Sequence, residues 1–106
     1  MAKYLIHGSY TADGLKGLLK EGGSKRREAA NQSIKSLGGT LEAYYFGFGQ
    51  DDFYAVVDLP DNVTATAVSL VGNASGSIKV TVTVLLTPEE VDEATKKTVD
   101  YRRPGQ

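Results

Sequence analysis

The succession of strand and helix signals along this chain predicts an α+β, ferredoxin-like fold. It would have a four-stranded antiparallel sheet in βαββαβ order and an extra C-terminal helix. Three observations carry the expectation. Apolar residues recur at period two, then at about 3.6, and the alternation repeats along the chain. Ser77 to Leu86 alternates without a break: Ile78, Val80, Val82, Val84 and Leu86 on one face, Lys79, Thr81 and Thr83 on the other. Two runs rich in aromatic and β-branched residues, Thr40 to Phe48 and Asp52 to Leu59, meet through Gly49-Gln50-Asp51-Asp52, which reads as a hairpin. Right-handed crossovers then put the main helices on one side of the sheet and leave the other bare.

The elements follow in order. Lys3 to Ser9 carries Tyr4, Leu5 and Ile6 and exits at Gly8-Ser9, a strand. Thr11 can cap a helix with Leu15, Leu18 and Leu19 on one face; Gly14 and Gly17 predict that it is short or irregular. After Gly22-Gly23, Ser24 is placed to cap a second helix running to about Leu37, with Ala30, Ile34 and Leu37 as its apolar stripe. Gly38-Gly39 ends it. Beyond the hairpin and Pro60, Asp61 can cap a helix bearing Val63, Ala67, Leu70, Val71 and Ala74. Thr87-Pro88-Glu89-Glu90 has the spacing of a capping box and opens a short helix ending near Lys97. The 106 residues make one domain, expected over 1–98, and residues 99–106 form an extended tail.

Composition excludes several classes of function. Twelve basic and thirteen acidic residues give a net charge of -1, which speaks against nucleic acid as a partner. No apolar run approaches the roughly 20 residues of a spanning helix, so no membrane is expected. The opening MAKYLIHGSY has no long apolar stretch or cleavage site of a signal peptide, which predicts a cytoplasmic protein. With no Cys and one His, disulfides and a metal site are not expected, and no dinucleotide or phosphate-loop fingerprint points to a cofactor.

Pairing Phe48 with Phe53 across the hairpin puts Tyr44, Phe46 and Phe48 on one face with Phe53, Ala55, Val57 and Leu59. Leu41, Ala43, Tyr45 and Gly47 then share the other with Tyr54, Val56 and Asp58. A loop of odd length would exchange one strand's faces relative to the other's. In either register both faces are substantially apolar. A standard interface covers about 800 Å² per partner, so the bare face predicts a homodimer of two sheets packed face to face.

The segments YLIHGSYTADGLKGLLKEGGSKRREAANQSIKSLGG, LEAYYFGFGQDDFYAVVDLPDN and TVLLTPEEVDEATKKTVDYRRPG resemble the GYD-domain proteins of bacteria over nearly the whole chain. That resemblance implies a functionally uncharacterised dimeric α/β-barrel domain. The name-giving motif falls in the hairpin loop, where Asp51 stands at the place of its tyrosine.

Chemistry is sparse. His7, the one histidine, is the acid/base candidate, with a hydrogen-bonded structural histidine as the alternative. Tyr45, Tyr54 and Asp58 fall on one face and could orient a polar aromatic ligand, or simply fill an interface. Ser24, Lys25, Arg26 and Arg27 in the first turn of a helix oppose its dipole and form a candidate anion site, or else a solvated surface. Asp51 and Asp52 are too few for a calcium site. Two functions follow: a dimeric module binding a small molecule or another protein, or a cofactor-independent enzyme, oxygenase- or isomerase-like, acting on a small aromatic or carbonyl compound. An enclosed pocket reached by His7 and a tyrosine would favour the enzyme.

Overall fold

In the computed structural model, which describes residues 1–106, the chain runs β1 (Ala2–Tyr10), α1 (Ala12–Glu21), α2 (Gly23–Ser36), β2 (Thr40–Phe46), β3 (Phe53–Leu59), α3 (Asn62–Ala74), β4 (Ile78–Leu85) and α4 (Pro88–Thr95). The strands form one antiparallel sheet in the order β2-β3-β1-β4, the ferredoxin-like arrangement that the sequence predicts. No helix is long and apolar enough to cross a membrane.

Alternation assigns the sheet's two faces. Tyr4, Ile6, Phe53, Ala55, Val57, Leu59 and Val80 point to the helices and form the core with Ile34 of α2 and Ala65 of α3. Val57 and Leu59 have no solvent exposure, and burying each side chain stabilises the fold by about 1.5–3 kcal/mol. Tyr4 brings its one polar atom inward and satisfies it, donating to Asn62 Oδ1 at 2.5 Å.

The hairpin pairing is shifted by two residues from that expected, which lengthens the loop. Phe46, not Phe48, lies opposite Phe53, and β2 ends at Phe46. The shift is even, so both strands keep the same faces except at one place. A bulge between Leu41 and Ala43 turns Leu41 toward the core, where the sequence placed it on the bare face. Phe48 leaves the strand with φ of 50° and stacks on Phe46 at 5.8 Å.

The helices bring three further corrections. α1 is short, at ten residues, but regular, and Gly14 is needed where it passes the residue before β4: a Cβ there would lie 2.0 Å from the Ser77 carbonyl oxygen. α2 starts two residues early, with Gly22 at φ of 84° in the cap position and no side-chain cap, so Ser24 sits inside the first turn. In α3 the inward face is Ala65, Val68 and Gly72, while Val63, Leu70 and Val71 are 80%, 66% and 71% exposed. Small residues win that face because α3 lies so close to β4 that a Cβ on Gly72 would sit 3.0 Å from Val80 Cγ1. Asn73 locks this packing: its amide accepts from Val80 N–H at 2.9 Å and donates to Val80 C=O at 3.1 Å, covering part of the edge strand.

α4 begins at the expected capping box, Thr87 Oγ1 accepting from Glu90 N–H and Glu90 Oε1 from Thr87 N–H. It ends at Thr95, two residues early. From Leu86 to Gln106 every residue is exposed. The molecule measures 56 × 33 × 22 Å, and this C-terminal arm, residues 87–106, contributes nothing to the core.

Candidate functional site

Two crossover helices cover the sheet incompletely. α2 lies over β2 and α3 over β4, and between them the core face opens as a cleft of about 560 Å³. Ile6, Phe53 and Ala55 form its floor, and Ala30, Val68 and Val71 its walls. Fifteen of its 21 lining residues are apolar. That is the size and character of a small-molecule pocket.

Its polar handle is a pair of phenols. Tyr10, at the end of β1, and Tyr44, in β2, reach across the intervening β3, with their hydroxyl oxygens 3.2 Å apart. Phe53 of β3 supports both rings, 5.3 Å from Tyr10 and 6.3 Å from Tyr44 between centroids. Tyr10 is anchored through its backbone N–H, which donates to Asp52 Oδ2 at 2.9 Å. Burial pushes both phenols up, and for Tyr10 the bond to Tyr44 adds to the rise. Arg26, at the rim of the cleft, opposes the rise and is itself 3.6 Å from Glu21. The pair is thus uncharged at neutral pH, offering a donor and an acceptor to a neutral carbonyl or hydroxyl.

Linkage gives this pair a testable sign. A phenol whose folded pKa is raised stabilises the fold fully below its ordinary value of 10.0, and that contribution is lost as the pH climbs above it toward the folded value. Stability is expected to be flat in this respect up to pH 10.0 and to fall beyond. Phenolate absorbance should show a late phase that coincides with unfolding and disappears in Tyr10→Phe/Tyr44→Phe. A titration complete without unfolding would contradict the buried pair.

The residues singled out from sequence lie elsewhere, with one exception. Arg26 lines the cleft. Arg27 lines a smaller, polar recess of about 380 Å³ with Glu28, Asn31 and Tyr45, and Ser24 and Lys25 are exposed outside both. His7, Tyr45, Tyr54 and Asp58 are on the opposite, helix-free face of the sheet. There His7 Nδ1 meets Asp51 Oδ2 at 2.7 Å, Nε2 lies 3.3 Å from Thr83 Oγ1, and the ring stacks parallel to Tyr54 at 6.2 Å. Tyr45 pairs directly with Tyr54 across the hairpin and is 70% exposed. Asp58 does not join them. It lies four residues from Tyr54 along β3, about 13 Å at a strand's rise, and takes a hydrogen bond from Lys3, which also binds Glu42. This face is mixed rather than substantially apolar: Leu5, Ala43, Val56 and Leu85 alternate in space with Lys3, His7, Asp58 and the threonines of β4.

Sequence reasoning missed Tyr10, Tyr44 and the His7–Asp51 pair. Parity with Tyr4 and Ile6 already sends Tyr10 inward, and hairpin parity does the same for Tyr44. Their meeting needs the strand order as well. Asp51 reaches His7 because the loop is pinned to β1, Asp52 N–H donating to Gly8 C=O at 2.7 Å.

A family model described as the GYD domain matches residues 4–95, and the chain belongs to that family. The match ends with α4 and leaves the last eleven residues outside. No curated protein and no solved structure matches the chain.

Proposed function

We propose that this GYD-domain chain is a homodimeric small-ligand-binding module. Its ligand is a compact, largely apolar molecule carrying one uncharged carbonyl or hydroxyl group. The apolar cleft with a neutral phenol pair at one end carries this reading. Apolar walls supply affinity in proportion to the area they cover, and two fixed hydroxyls select for a polar group at one position. The helix-free face, with Leu5, Val56 and the exposed Tyr45, is the surface assigned to the second copy.

Nile red, a neutral dye that brightens in apolar surroundings, serves as the probe. Val71→Trp, at the exposed mouth of the cleft, and Ala30→Trp, deeper on α2, should each weaken dye binding by about tenfold or more while circular dichroism stays native. Equal binding by both variants would place the dye, and the function, elsewhere.

One observation favours a second reading, a cofactor-independent enzyme acting on a small aromatic or carbonyl compound. The Asp51 carboxylate fixes the His7 imidazole and leaves Nε2 against only an exposed hydroxyl, the orientation a general base requires. That reaction would run on the sheet face beside Tyr54. It would be lost in His7→Gln and kept in Val71→Trp, the reverse of the cleft's behaviour.

A further inference from the structure

The C-terminal arm has an unusual distribution of charge. Within α4, Glu89, Glu90, Asp92 and Glu93 give −4, and beyond it Lys96, Lys97, Arg102 and Arg103 against Asp100 give +3. The chain holds twelve basic and thirteen acidic residues; four and five of them are in the arm, so the first 86 residues carry eight of each sign. The body is neutral overall, while the arm is acidic in its first half and basic in its second.

None of these charges forms an ion pair within the chain; Glu90 serves the capping box, and Arg102 and Arg103 reach only Gln106. All four ion pairs lie before residue 59. The arm also exposes apolar side chains in both halves: Val91 at 48%, Val99 at 73% and Tyr101 at 69%. A neutral body gives such a segment no net electrostatic reason to dock on it. A second arm running the opposite way does, because it sets acidic half against basic half twice. That arrangement is what a two-fold axis produces from a self-complementary surface.

We infer that the arms of two copies of this chain pair antiparallel. The acidic α4 of each lies along the basic tail of the other, with Val91, Val99 and Tyr101 in the seam. The inference rests on the proposed homodimer for its partner and names a contact separate from the sheet face. The basic half lies outside the residues that the family model matches.

A charge exchange in the full chain tests it. E89K/D92K/E93K makes the arm basic throughout and spares Glu90 for the capping box; K96E/K97E/R102E/R103E makes it acidic throughout. Each variant alone should self-associate about tenfold more weakly than the unaltered chain in sedimentation equilibrium at low salt. An equimolar mixture should recover the original affinity, with mixed pairs predominating in native mass spectrometry. Unchanged association of both variants, or random pairing in the mixture, would overturn the clasp. Val56→Asp on the helix-free face separates the two readings. If it alone abolishes association, the sheet interface stands and the clasp falls. If association survives it and the charge exchange behaves as expected, the clasp stands and the sheet interface falls. An unaltered chain that sediments as a monomer of 11.3 kDa at its highest soluble concentration removes both.

Discussion

Gly8→Ala is expected to cost this domain a large part of its stability. The Cβ would stand 1.9 Å from the Lys79 carbonyl oxygen and 2.9 Å from Val80 Cα, both backbone atoms of the neighbouring strand. A side chain could rotate away from such a contact; a strand can yield only by breaking its ladder. Overpacking ordinarily costs about 1–3 kcal/mol, and the absence of any escape puts this case at or above the upper end, against a total of about 5–15 kcal/mol for a domain. At about 4–8 °C per kcal/mol, the thermal midpoint should fall by more than about 12 °C. The same displacement would loosen the Asp52–Gly8 bond that holds the hairpin loop, and with it Asp51 against His7. A fall of under about 4 °C would mean that β1 and β4 separate without penalty and that the close pairing is not structural.

Phe53→Ala should be nearly as severe, and it links the core to the cleft. Phe53 is 5% exposed and stands between Tyr10 and Tyr44. Removing a buried phenyl ring costs about 3–5 kcal/mol, part from lost transfer energy and part from the cavity left behind. The denaturant midpoint should drop accordingly with little change in slope. The phenols, no longer supported from below, should also lose their late ionisation. Destabilisation below about 1 kcal/mol would show that the site collapses around the missing ring and that the floor of the cleft is soft.

Local chemistry accounts for the parts of the fold that the sequence discloses. Thr11, Asp61 and Thr87 accept from the N–H three residues on, as short polar residues before helices do. Alternation in Ile78–Leu85 and the even spacing of the hairpin faces survive an error of two residues in pairing, because a strand's side chains repeat every two. A bulge breaks that parity, so Leu41 was misplaced. α3 shows the opposite failure: its large apolar residues mark a helix but not the buried side, since closeness to β4 selects the small ones.

The sequence by itself determines which segments become strands and helices, the faces of most strands, and the family, because these depend on residues near one another along the chain. Tertiary structure alone decides that α2 and α3 leave a cleft, that Tyr10 and Tyr44 meet across β3, and that Asp51 turns to His7. Each of those contacts joins residues 30 or more positions apart. Strand order and interhelix distance bring them together, and neither is written in the spacing of side chains along a single element.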